Sequence, residues 1–139
     1  MNLEKKTIAA LDPGRDKCGF AVLHQDGRVL MQRVIETSRL EAEVQQAYAA
    51  FAFDVLVEGN GTTSKAARGR ISKLLPGLCI EVVDEYRTTD MARKAYWQAN
   101  PPHGWRRLLP VTMQVPPVPV DDFVAVILGQ RYLEEHYHE

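Results

Sequence analysis

The sequence predicts an α/β protein: a mixed five-stranded sheet, antiparallel over its first three strands and then parallel, with helices on both faces. Three apolar runs come first, and Asp26-Gly27 between the second and third is typical of a β-hairpin because both residues accept positive φ. Strand-like and helix-like stretches then alternate. An antiparallel start followed by strand–helix alternation implies a mixed sheet covered by helices.

Each element has its own local signal. Apolar runs predict strands over residues 7–11, 19–24, 28–35, 54–58 and 79–83. Ser38 and Glu41 match a capping box, followed by helical apolar spacing as far as Phe51. The other predicted helices are a basic one after the glycine-rich corner 59–63 that stops near Pro76-Gly77, one from Thr88 or Thr89 to about 98, and a last one from near Val120. The proline-rich stretch 100–119 is interpreted as an ordered loop or lid.

Size and composition are those of an ordinary globular protein. The 139 residues, 45% hydrophobic and 25% charged, predict one domain spanning 1–139. The sequence contains neither an apolar run long enough for a bilayer nor a signal peptide, so a cytoplasmic protein without membrane contact is expected. Cys18 and Cys79 lie in apolar runs, which predicts two reduced core thiols.

Charge is distributed unevenly along a chain whose formal net charge is −1. Residues 64–73 carry four positive charges and no acid. A basic stripe of this kind suits a phosphate-bearing partner, and it is equally compatible with a solvated helix face.

Acidic residues follow the predicted strands at the edge where sites form in alternating sheets. Asp12 follows the first strand, Glu58 ends the fourth, Asp84-Glu85 follows the fifth, and Asp121-Asp122 opens the last helix. Gathered together, these carboxylates would repel one another unless a cation neutralised them, and oxygen ligands favour Mg²⁺ or Mn²⁺. The sequence therefore predicts a metal site at this edge.

Each acid also has a purely structural interpretation. Asp12 before Pro-Gly suits an Asx-turn, and Glu58 suits the exposed end of a strand. Asp84 or Asp121 suits the N-cap of the helix that follows it.

Three motifs give the chain a resemblance to the YqgF/RuvX family. Residues 8–14 read Ile-Ala-Ala-Leu-Asp-Pro-Gly, with a second apolar strand from Gly19. Residues 83–89 are similar to the family's Asp-Glu-Arg-x-Thr-Thr segment, and residues 120–128 to its C-terminal Asp-x-x-x-Ala helix. The resemblance implies an RNase H-like fold and a nuclease that processes pre-16S rRNA or resolves Holliday junctions.

The resemblance also implies site residues. The family's metal-binding acids correspond to Asp12, Glu85 and Asp121, which would hold Mg²⁺ or Mn²⁺. Asp122 is an adjacent alternative because the register of the helix start is open. Glu58 is a candidate fourth catalytic acid, since the related RuvC resolvases have a catalytic glutamate near that place.

The chain departs from the family pattern at two positions. Tyr86 stands where the family has arginine, with Arg87 one place later, and the corner after Glu58 reads Gly-Asn-Gly-Thr-Thr-Ser instead of Gly-x-Pro. The amides and hydroxyls of that corner suit phosphate. The residues predicted to bind nucleic acid are Asn60, Thr62, Thr63, Lys65, Arg68, Arg87, Arg106 and Arg107.

Two functions remain open at this point. The first is a metal-dependent endonuclease acting on RNA or branched DNA, as a monomer or, for a junction resolvase, a homodimer. The second is a non-catalytic nucleic-acid-binding or assembly protein that keeps the fold, which the altered Tyr86 position and the weak overall basicity favour.

Overall fold

The computed structural model describes residues 6–61, 63–84, 88–100 and 121–137. The strands are β1 (Thr7–Asp12), β2 (Lys17–His24), β3 (Val29–Glu36), β4 (Val55–Gly59) and β5 (Cys79–Val83). The helices are α1 (Leu40–Phe51), α2 (Ser64–Leu74), α3 (Thr88–Ala99) and α4 (Asp121–Tyr137), and a 3₁₀ turn (Thr37–Arg39) precedes α1. Within these residues, no helix is long and apolar enough to cross a membrane.

The five strands form one mixed sheet in the order β3-β2-β1-β4-β5. β1, β2 and β3 pair antiparallel, while β4 pairs parallel with β1 and β5 pairs parallel with β4. The predicted fold class is therefore confirmed. Because β1, β4 and β5 run the same way, their carboxyl ends share one edge of the sheet, called the carboxyl edge below.

Strand pleating divides the core into two layers. Ala10, Ala21 and Val57 face one side and pack with Leu128 of α4. Leu11, Phe20 and Leu56 alternate with them and face the other side, where they pack with residues of α1 and α2. Successive side chains of a strand point to opposite faces, so each strand residue belongs to the α4 face or to the α1/α2 face.

Three local predictions differ from the structure. The capping box does not form: Ser38 lies inside the 3₁₀ turn, and Arg39 precedes α1 without a side-chain cap. The hairpin between β2 and β3 forms, but of its two turn residues only Gly27 has positive φ. Cys18 is a buried thiol as predicted, whereas Cys79 is exposed because it opens the edge strand β5.

The helices of the α1/α2 face are linked by one ion pair. Arg70 of α2 donates two hydrogen bonds to Glu41 of α1, from Nε at 2.7 Å and from Nη2 at 2.5 Å. A guanidinium and a carboxylate match in this two-bond geometry. Mainly because of these hydrogen bonds, the pKa of Glu41 is lowered to about 2.

The Arg70–Glu41 pair predicts a loss of stability in acid. The folded-state pKa lies below the ordinary value of 4.5, so the contribution is complete above about pH 4.5 and disappears as pH falls toward 2. We expect Glu41→Gln to lower the free energy of unfolding by ~0.5–1 kcal/mol at pH 7 and by almost nothing near pH 2. Urea unfolding of both proteins at each pH measures this. An equal difference at both pH values would contradict it.

Candidate active site

Asp12 stands at the carboxyl edge, as the last residue of the central strand β1. It lies directly opposite Gly19 of β2, and its side chain is half-buried. Two residues earlier, Ala10 packs on the α4 face. Strand alternation therefore places Asp12 on the α4 face as well.

The beginning of α4 contacts the sheet at Gly19. A Cβ added to Gly19 would lie 1.7 Å from the carbonyl oxygen of Asp121 and 2.8 Å from the backbone nitrogen of Asp122. Only a residue without a side chain permits this approach of two backbones. Because Gly19 pairs with Asp12, the contact brings the first turn of α4 beside Asp12 on the same face.

The two acids of α4 have different surroundings. Gln32 Nε2 of β3 donates a 3.1 Å hydrogen bond to Asp122 Oδ2, which directs that carboxylate toward the β3 side. Burial raises the pKa of Asp121, the neighbouring Asp122 raises it further, and Lys17 opposes both. Asp121 is thus a carboxylate whose charge is destabilised by its position.

The loop between Asp12 and β2 is held by Thr37. The Thr37 hydroxyl donates to the Gly14 carbonyl at 2.9 Å, and the Thr37 backbone N–H donates to the Asp16 carbonyl at 2.9 Å. The Sγ of buried Cys18 lies 3.3 Å from the same hydroxyl. A Cβ on Gly14 would lie 2.1 Å from the Lys17 carbonyl, so glycine is required there too. These contacts fix the backbone that follows Asp12.

Glu58 lies on the other face of the sheet. Glu58 lies opposite Leu11 of β1 and two residues after Leu56 of its own strand, and both of these leucines pack on the α1/α2 face. Its fully buried carboxylate accepts a 3.3 Å hydrogen bond from Arg68 Nη1 of α2. The pleat thus separates Glu58 from Asp12, although their strands are neighbours.

The corner between β4 and α2 lies at the carboxyl edge. Asn60 and Lys65 are exposed, and Thr63 is half-buried. The Thr63 carbonyl accepts a hydrogen bond from Ala67 N–H at 3.2 Å, and the side chain of Thr63 makes no cap bond to α2. The predicted site residues Thr62, Glu85, Arg87, Arg106 and Arg107 lie outside the described residues.

The described part of the site fits a divalent cation incompletely. Among residues 6–61, 63–84, 88–100 and 121–137, no three Asp, Glu, His or Cys side chains gather closely enough to hold a metal ion. Asp12 and Asp121 nevertheless supply oxygen ligands of the type that Mg²⁺ and Mn²⁺ prefer. The raised pKa of Asp121 fits the same interpretation, because a cation would stabilise its ionised form.

Three residues of the site carried no signal strong enough to be found in the sequence. Gln32 contacts Asp122 across 90 positions of chain, and Thr37 contacts Gly14 across 23. Such contacts depend on strand order. Lys17 had a weak local signal, as a cation close after Asp12.

Comparison with known proteins identifies the architecture. No protein-family model and no curated protein sequence matches the chain. Thermus thermophilus RuvC in complex with a Holliday junction substrate has a similar structure, with a TM-score of 0.57, 14% identity, and coverage of 93% of this chain and 94% of that chain. A second Thermus thermophilus RuvC structure has a TM-score of 0.54 and 14% identity over 94% and 97% of the two chains.

The chain has an RNase H-like fold. The likeness to RuvC covers nearly the whole length of both chains. At this identity it establishes the shared fold, and membership of the YqgF/RuvX family stays a prediction from the three motifs.

The Gly19 contact predicts a specific sensitivity to a methyl group. We expect Gly19→Ala to lower the free energy of unfolding by ~3 kcal/mol, because two backbone segments would have to separate. Gly69→Ala is the matched control: a Cβ there meets nothing within 4 Å, and alanine in that helix should stabilise the protein by ~1 kcal/mol. Urea unfolding measures both changes, and similar effects of the two variants would contradict the Gly19 contact.

The environment of Asp121 predicts that the protein gains stability when this charge is removed. The raised folded-state pKa means that the ionised group is penalised at neutral pH and that the penalty vanishes below the ordinary value of 3.8. We expect Asp121→Asn to melt at a higher temperature than the wild type at pH 7 and at the same temperature near pH 3. In thermal melts, Mn²⁺ should raise the melting temperature of the wild type more than that of Asp121→Asn. Asp54→Asn, at the opposite edge of the sheet, is the control and should respond to Mn²⁺ like the wild type. A lower melting temperature for Asp121→Asn at pH 7 would refute this account.

Proposed function

We propose that the protein is a metal-dependent endonuclease that hydrolyses phosphodiester bonds in structured nucleic acid. The observation that carries the proposal is the position of Asp121: the backbone contact at Gly19 puts it on the same face and at the same edge as Asp12. Two acids that are far apart in the sequence would thereby be available to one cation at this edge of the sheet.

Asp12 and Asp121 are the residues proposed to hold Mg²⁺ or Mn²⁺, together with Glu85 as the motif implies. The bound cations would supply activation of a water molecule and stabilisation of the leaving oxygen. Asp122, held by Gln32, is proposed to orient the first turn of α4. Thr37 positions the loop after Asp12, and Lys17 is a cation available to the substrate phosphate.

The substrate is proposed to be a structured nucleic acid, either precursor 16S rRNA or a branched DNA junction, as the family resemblance implies. The RuvC structure in complex with a Holliday junction supports the junction, and the family resemblance is compatible with both substrates. A junction resolvase would act as a homodimer and an rRNA nuclease as a monomer.

A specific observation favours the second candidate, a non-catalytic nucleic-acid-binding protein. Glu58, a candidate catalytic acid, is fully buried and bonded to Arg68 on the far face of the sheet. Under this alternative, the acids at the carboxyl edge would be structural.

Removal of the Asp12 carboxylate distinguishes the two functions. We expect Asp12→Asn to reduce Mn²⁺-dependent cleavage of labelled precursor rRNA or of a four-way DNA junction by at least ~100-fold. Loss of a residue that only supports a metal ligand costs up to about 100-fold in activity, and loss of a ligand itself should cost more. Asp16→Asn is the matched control, since it removes the same charge from an exposed residue of the adjacent loop. Binding without cleavage by the wild type would support the non-catalytic alternative, and equal cleavage by all three proteins would mean that the acid site is not responsible.

A further inference from the structure

A groove runs between helix α2 and the edge strand β5 on the α1/α2 face. Its volume is about 500 Å³, and its lining consists of Lys65, Arg68, Gly69, Ser72, Leu78 and Ile80. Beyond Ile80 on the same face of β5, Val82 is 47% exposed. The groove thus combines a polar helix wall with an apolar floor made by the edge strand.

The helix wall of the groove is positively charged. Lys65, Arg68, Gly69 and Ser72 are spaced by three, four and seven residues, which places them on one side of α2 over about 10 Å. Both charged residues that the structure places in the lining are cations. This positive charge would attract either a chain of phosphates or an acidic peptide. The apolar floor favours the nucleic acid, because it can contact flat, uncharged groups that lie beside the charges.

Arg68 is held in place from inside the protein. Its Nη1 donates to the buried carboxylate of Glu58, while a third of the Arg68 side chain stays exposed to the groove. A guanidinium has five N–H donors, so donors remain for a phosphate. Glu58 therefore acts as a positioning residue for a groove cation.

Gly69 forms part of the helix wall beside open space. It lies in the middle of α2, it is exposed, and a Cβ there would meet nothing within 4 Å. Glycine weakens a helix at such a position, so packing does not explain it. Its position in the lining means that any longer side chain would project into the groove.

We propose that this groove binds a short stretch of single-stranded nucleic acid along its helix wall. Its phosphates would contact Lys65 and Arg68, and its unpaired bases would lie over Ile80 and Val82. A duplex keeps its bases stacked inside and offers the apolar floor nothing, so the groove should favour single strands. Because α2 begins at the carboxyl edge, the strand would lead away from Asp12 and Asp121. The inference rests on the proposed nuclease function and adds a single-stranded arm to its substrate.

The test measures binding without cleavage. Fluorescence anisotropy in EDTA, at about 50 to 200 mM salt, compares a labelled single-stranded RNA of about 12 nucleotides with the corresponding duplex. We expect Gly69→Glu to weaken single-strand binding roughly tenfold or more, because its side chain narrows the groove and adds a like charge beside the phosphates. Duplex binding should change less than about twofold. Lys65→Ala should lower the slope of log affinity against log salt by ~0.7.

The matched control is Ala66→Glu. It adds the same charge to an exposed position of the same helix, outside the groove lining, and should bind the single strand like the wild type. Thermal melts establish that Gly69→Glu is folded, since the open space at Gly69 predicts no loss of stability.

The outcomes separate the groove from the nuclease. The groove would be overturned if folded Gly69→Glu bound the single strand like the wild type. It would also be overturned if the duplex, or the Ala66→Glu variant, showed an equal loss of binding. The nuclease proposal would stand in either case if Asp12→Asn still abolished cleavage. Failure of the wild type to bind the single strand would also overturn the groove, while cleavage by the wild type and by Asp12→Asn decides the nuclease proposal. Selective loss of single-strand binding in Gly69→Glu would support the groove even if Asp12→Asn cleaved normally.

Discussion

The backbone contact between Gly19 and Asp121 is the constraint on which the candidate site depends. Residues separated by about a hundred positions meet there with no side chain between them, and a Cβ would lie 1.7 Å from the opposing carbonyl. Gly19 also pairs with Asp12 at the end of the central strand. One missing side chain therefore fixes where α4 begins relative to β1. The contact therefore brings the backbone of Asp121 close to Asp12, although the two residues lie near opposite ends of the chain.

The charge of Asp121 is destabilised at the carboxyl edge. The pKa of Asp121 is raised by burial and by Asp122, so the ionised site is less stable than an uncharged one would be. The surrounding structure compensates through contacts that require no charge: Gln32 holds Asp122, and Thr37 holds the loop after Asp12. Asp121, whose ionised form is disfavoured, therefore lies beside backbone that uncharged contacts hold in place.

The two faces of the sheet have different chemistry. The α4 face carries acids at its edge, whereas the α1/α2 face carries the cations of α2 beside the open side of β5. Glu58 belongs to the second face, where its buried carboxylate fixes Arg68. Although Glu58 and Asp12 lie on neighbouring strands, their side chains therefore belong to opposite faces of the sheet. A nucleic acid that reached both faces would cross the corner between β4 and α2.

The sequence by itself determined the fold class and the edge at which the acids collect, because apolar periodicity and turn residues are local signals. Only the tertiary structure decided which face each acid occupies. Strand register and pleat place Asp12 with Asp121 and place Glu58 with Arg68, and no local pattern encodes a pairing between strands. The same reason explains the other differences. Ser38 and Glu41 matched a capping box, but the chain entering α1 forms a 3₁₀ turn instead, and Cys79 is exposed because β5 is an edge strand. Gln32 became a site residue only because β3 lies within reach of the first turn of α4.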